Sequence, residues 1–151
     1  MAHFYCKKLA VIASLTVVAF LGSCGGDGGD ASKQPETSPP SPEMIERLVQ
    51  TALDYEGLQE YYYPGLPGRD TLAISGWDLP EGMNLVKHGN PVMFIDTCTN
   101  ERNCIEVERL KWTGDSAYIV LWYPIQGLYC ELSYKVDHER FILLSHDLME
   151  L

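Results

Sequence analysis

Basic residues are scarce in this chain. Eleven Lys and Arg stand against 21 Asp and Glu in 151 residues, a formal net charge of −10. Binding a phosphate backbone needs a basic stripe, so nucleic acid is not an expected partner. Long hydrophobic runs are missing as well. The one uncharged apolar run, Leu9 to Leu21, spans about 20 Å as a helix, short of the roughly 30 Å hydrocarbon core, which excludes a multi-span membrane protein. There is no HxH, HExxH or CxxC spacing, so neither a metal site nor a cofactor is expected. The length allows one ordinary domain and excludes a large multidomain enzyme. What is present is enough for a core, since 46% of the residues are hydrophobic.

The clearest signal is an address. Lys7 and Lys8 precede the apolar run, which ends in Leu21-Gly22-Ser23-Cys24. A short basic start, an apolar stretch too short to span, and small residues before a cleavage point are the marks of a signal peptide. This stretch resembles the lipobox of bacterial lipoproteins. The resemblance implies that the thiol of Cys24 receives a diacylglyceryl group, that cleavage leaves Cys24 as the new N-terminus, and that the lipid bilayer is a partner through the acylated cysteine. Acyl chains hold firmly because each buried CH₂ contributes about 0.8 kcal/mol. Gly25, not Asp, follows the cysteine; in a Gram-negative organism the resemblance then implies the outer membrane. The expected location is the cell envelope, with the domain extracytoplasmic. Cys6 falls in the segment to be removed.

Residues 25 to 40 read GGDGGDASKQPETSPP. Such a segment buries too little apolar surface to offset its ordering entropy and reads as a spacer. The expected organisation is a signal peptide over 1–23, the lipidated cysteine and linker over 24–41, and a globular domain over 42–151. Ser41-Pro42-Glu43 carries the marks of a helix start: an N-cap hydroxyl, Pro in the first turn and an early acid. Met44, Ile45, Leu48, Val49, Ala52, Tyr55 and Leu58 recur at three- and four-residue spacings, one apolar face of a helix. Residues 61–90 are irregular and rich in turns, with Leu72-Ala73-Ile74 as a short strand or helical turn.

From Pro91 the pattern is β. Strands are predicted over 92–97, 105–112, 117–123, 128–136 and 141–149, with turns at Gly114-Asp115, Pro124–Gly127 and Asp137–Arg140. Leu128, Cys130, Leu132, Tyr134 and Val136 alternate with Glu131, Ser133 and Lys135. On the strand before, Tyr118, Val120 and Trp122 face away from Ala117, Ile119, Leu121 and Tyr123, so one set meets the helix and the other a loop, a partner or solvent. The short connections imply an antiparallel meander. The expected fold is α+β: an N-terminal helix packed on a curved antiparallel sheet of four to five strands. This order, and the ending SAYIVLWYPIQGLYCELSYKVDHERFILLSHDLMEL, is similar in layout to the cystatin-like and nuclear-transport-factor-two-like superfamily. The resemblance implies a roll and fixes no function, because that fold hosts enzymes, inhibitors and adaptors alike. The QxVxG motif of cystatins is absent.

Cys98 and Cys104 bracket five residues. Beyond the cytoplasm a disulfide is the expected reading, against a metal or redox pair; Cys130 is then left over as a small hydrophobe, or pairs with one of them. His88, His138 and His146 show no ligand spacing, and Asp78, Asp96 and Glu131 are candidate general bases that nothing singles out. Aromatic residues are the most suggestive group. Tyr61, Tyr62, Tyr63, Trp77 and Trp122 are the candidate binding residues, with core or edge cover as the competing reading. The functional expectation is a membrane-tethered binding or interaction module for a protein partner or small ligand, more a binder than an enzyme. The alternatives are a small acid–base enzyme using a cavity of the roll, of isomerase or dehydratase type, and a purely structural envelope lipoprotein.

Overall fold

The computed structural model describes residues 39–151. The expected signal peptide 1–23, the lipidation site Cys24 and the linker as far as residue 38 lie outside the described residues. Ser41 begins the first helix as its residue type predicts. Its backbone is extended and its Oγ accepts from the Met44 amide at 3.3 Å, with Pro42 and Glu43 in the first turn. Helix α1 runs over Pro42–Leu53 and α2 over Glu56–Tyr62. The predicted single stripe thus breaks at Asp54-Tyr55. A helix end leaves carbonyls without partners; here Leu53 O accepts from Lys87 Nζ at 2.7 Å, Tyr62 Oη at 2.9 Å and Gln59 Nε2 at 3.2 Å. Lys87 Nζ also reaches Asp54 Oδ1 at 3.0 Å and Gln59 Oε1 at 2.8 Å. Three side chains close the helix where no local glycine or proline does.

The strands are β1 (Ala73–Ser75), β2 (Val86–Lys87), β3 (Asn90–Pro91), β4 (Met93–Phe94), β5 (Cys104–Thr113), β6 (Ser116–Tyr123), β7 (Leu128–Asp137) and β8 (Arg140–Glu150). β2 and β3 form a small hairpin. The other six make one sheet in the order β4-β1-β5-β6-β7-β8. β5 to β8 are the expected antiparallel meander, joined by the expected turns. Gly114 has φ 59° at the tip of the first hairpin, a conformation that disfavours a Cβ.

The expected fold class needs correction. The sheet is mixed, with six strands in place of four or five, because β1 inserts between β4 and β5 and runs parallel to both. Strand makes up 42% of the described residues, and among them the single expected helix is replaced by two short ones, α1 beginning only at Pro42. The layout is therefore not that of a cystatin-like roll. β1 falls on the expected short strand or helical turn at Leu72-Ala73-Ile74, but with three residues and partners far along the chain nothing local announces its parallel place in the sheet.

The helices cover one side of the sheet, with α1 packed on β6. Leu48, Val49, Ala52, Leu53 and Leu58 meet Ala117, Ile119, Leu121 and Tyr123 of β6 and Leu128, Cys130, Leu132 and Tyr134 of β7 in one buried cluster. Full burial of each large apolar side chain stabilises by about 1.5–3 kcal/mol. The helices follow β8 in its own direction. Arg47 pairs with Glu139 at 2.8 Å, the Tyr55 ring lies against His146, and Tyr61 Oη donates to Glu150 at 2.7 Å. No helix among the described residues is long and apolar enough to cross a membrane.

Candidate binding face

Among the described residues the opposite side of the sheet carries no helix, and strand alternation fixes what it displays. In register across five strands stand Ser75 of β1, Glu106 of β5, Trp122 of β6, Tyr129 of β7 and Met149 of β8. At about 4.8 Å per strand this row is about 19 Å long. Trp122 stacks on Tyr129 with ring centroids 4.5 Å apart and an interplanar angle of 24°. A β-bulge between Val107 and Arg109 adds an extra residue to β5 and re-aims Glu108. Tyr129 Oη donates to Glu108 Oε1 at 2.8 Å. That hydrogen bond, followed by burial and the charges of Glu108 and Glu106, raises the Tyr129 pKa, so the phenol stays a donor at neutral pH.

The next rows along the strands are polar apart from the buried Val120. Arg109, Val120, Glu131 and Asp147 are register partners, then Lys111, Tyr118, Ser133 and Ser145. Tyr118 Oη donates to Glu131 Oε2 at 2.7 Å, a bond that raises its pKa ahead of burial and the charge of Glu131. Arg109, Lys111, Tyr118 and Ser133 line a hollow of about 350 Å³. The face is therefore polarised, with aromatic and acidic groups toward β1 and cations toward the β5–β6 hairpin.

Beyond Ser75 the chain leaves the sheet at Gly76 and turns Trp77 outward, 95% exposed. Trp77, Ser75, Ile95, Asp96, Thr97 and Glu106 line a cleft of about 420 Å³. Glu106 borders this cleft and is also the register partner of Trp122, so Trp77 and Trp122 belong to one end of one face. A second hollow of about 520 Å³ lies at the other end of β1, among Asp70, Thr71, Met93, Glu101, Arg102 and Asn103.

The tyrosine run is split by the fold. Tyr62 is in the core, 2% exposed, under the Lys87 ammonium, which stands 4.4 Å from its ring centroid. It offers no surface to a ligand. Tyr61 bonds Glu150 on the helix side, and Tyr63, half exposed, lies under the Arg69 guanidinium. The structure thus brings Trp77 and Trp122 to one end of the open face and places the tyrosines elsewhere. Tyr129 and Glu106 were not singled out by sequence reasoning. The signal that could have found them is the alternation of the two strands once a register is assumed.

The remaining candidates are placed as follows. The sulfurs of Cys98 and Cys104 stand at disulfide distance, with Cα atoms 5.7 Å apart, packed against Ala73 and Ile95. Cys130 is free and buried; burial, ahead of the Asp147 and Glu131 charges, pushes its thiol up to about 12, which makes it inert as a nucleophile. His88 meets the Tyr62 ring edge-on, His146 lies by Tyr55, and His138 is exposed beside Asp137. Asp96 borders the Trp77 cleft, while Glu131 is held by Tyr118. Among the described residues no group of three or more His, Cys, Asp or Glu is arranged to hold a metal ion. No family model, curated protein or solved structure matches the chain.

Proposed function

We propose that this chain is a lipid-anchored, extracytoplasmic binding module that presents the helix-free side of its sheet. The anchor rests on the lipobox-like Leu21-Gly22-Ser23-Cys24. The single observation behind the binding role is the Trp122–Tyr129 stack on that side, with Trp77 almost wholly exposed at the same end. Large aromatic rings give up apolar area to water when left uncovered, and clustered aromatic surface marks interaction sites. The candidate carboxylates Asp96 and Glu131 form no ion pair with a histidine among the described residues; His88 and His146 lie against the rings of Tyr62 and Tyr55, and His138 beside Asp137. This arrangement gives acid–base chemistry no support.

The test places a photo-crosslinking residue at Trp122 in cells, with Glu43 on the exposed start of α1 as control. A discrete adduct from position 122 and not from 43 supports the reading. Equal adducts from both positions, or none from 122, overturn it. Fatty-acid labelling of the wild type, lost in Cys24→Ala, tests the anchor separately.

A further inference from the structure

We propose that the cleft at the end of β1 is a site for an organic ammonium group, with Trp77 as its aromatic wall and Asp96 and Glu106 as its counter-charges. The inference rests on reading the helix-free face as a binding surface and adds the chemistry of what it takes. Three observations carry it. First, Ser75 is 4% exposed and its Oγ has no hydrogen-bond partner, although it lines the cleft. A buried hydroxyl without a partner costs about 1–3 kcal/mol, and such a group calls for an explanation in a native fold. Register pairing with Glu106 puts the two side chains on the same side of the sheet.

Second, the carboxylates are uncompensated. The salt bridges among the described residues are Arg47–Glu139, Lys87–Asp54 and His138–Asp137, and neither Asp96 nor Glu106 belongs to one. Neither accepts a side-chain hydrogen bond within the described residues, whereas Glu108 and Glu131, farther along the face, are each held by a tyrosine. A neutral ligand would leave both charges as they are. A cation between them gains from both, and two carboxylates with one hydroxyl match the three N–H donors of a primary ammonium.

Third, the wall is an indole, the aromatic ring that attracts cations most strongly, and it stands free at 95% exposure. The cleft, about 420 Å³, has room for an alkyl stem against Ile95 beside the charged head. The chain's net charge of −10 raises the local concentration of cations around it. Such an ammonium has two sources: a free amine, or a lysine side chain of a partner protein.

The soluble domain labelled with ¹⁵N reports directly, because the indole N–H of Trp77 gives its own signal apart from those of Trp112 and Trp122. Butylammonium and an acetylated, amidated Gly-Lys-Gly peptide are the two probes, with glucose as the neutral control. Both probes are expected to shift the Trp77 signal saturably, and Asp96→Asn with Glu106→Gln to weaken this by roughly tenfold or more. A peptide that binds about tenfold tighter than butylammonium assigns the site to a partner's lysine, and equal affinities assign it to a free amine. No saturable shift from either probe, a larger shift with glucose, or an unchanged affinity in the double variant overturns the proposal. Failure here leaves the crosslink from position 122 free to succeed, so the two readings fall separately.

Discussion

At the scale of single residues, a few buried polar groups hold the fold more firmly than their number suggests. Asn103 is buried, and its Nδ2 donates to Arg69 O at 3.0 Å and Thr71 O at 3.1 Å, while its Oδ1 accepts from Tyr123 Oη. It ties the segment leading into β1 to β6. Asn103→Ala leaves two carbonyls and a buried phenol without partners, so urea unfolding is expected to show a loss of about 2–4 kcal/mol. Cys130 sets an alkaline limit. Its thiol moves from an ordinary 9 to about 12 on folding. The native state then holds the proton more tightly than the unfolded chain. The resulting stabilisation is complete below pH 9 and is lost as pH rises from there to about 12. Tyr62 and Tyr134, raised chiefly by burial, act in the same direction, whereas Lys87, lowered chiefly by burial, opposes them. In Cys130→Ala, unfolding free energy measured between pH 9 and 11 is expected to fall less steeply than in the wild type. The burial of Cys130 was legible in the alternation of its strand, whereas the roles of Asn103 and Tyr62 were not legible from residue type. Tyr62 and Trp77 were equivalent candidates in one irregular stretch, and only the tertiary structure sends one inward and the other out.

At the scale of elements, the predictable and the unpredictable parts separate by the range of their causes. β5 to β8 follow from alternation and turn chemistry, both local, and their observed bounds lie within a residue or two of those read from the sequence. The N-terminal end of α1 is also local, written in Ser41-Pro42-Glu43. Its C-terminal end is only partly so, because one of the three side chains that close it, Lys87, lies 34 positions away. β1 is the extreme case: the sequence leaves Leu72-Ala73-Ile74 open between strand and helical turn, and only pairing with β4 and β5 decides for strand. Its exit is tight. A Cβ at Gly76 would stand 3.0 Å from Val107 Cβ and 3.1 Å from the Val107 carbonyl oxygen, neither of which can swing aside. Gly76→Ala is therefore expected to cost about 1–3 kcal/mol in denaturant unfolding and to displace the Trp77 indole signal. The Cys98–Cys104 bridge closes a short loop against β1. Cys98→Ser with Cys104→Ser is expected to lower stability by about 2–3 kcal/mol, measured by thermal unfolding against the oxidised wild type.

At the scale of the whole molecule, the domain is a two-layer arrangement with unequal layers. The helices seal one side of the sheet and leave the other to carry charge and aromatic rings. Protection should follow that asymmetry. β6 and β7, paired on both flanks, are expected to hold the slowest-exchanging amides in deuterium-exchange mass spectrometry. The outward amides of β8, an edge strand of 11 residues with Ile142, Leu143 and Leu144 exposed, should exchange early. The parallel insertion of β1 has a kinetic consequence as well. The meander needs only tight hairpins, which close in microseconds. Pairing Ala73 with Cys104 instead means closing a span of about 30 residues, an entropic cost that must be met before its contacts form. Nucleation is therefore expected in the C-terminal half of the chain, with β1 docking late. The end of the sheet that carries the proposed site is then expected to assemble last, and to come undone first when the domain is stressed.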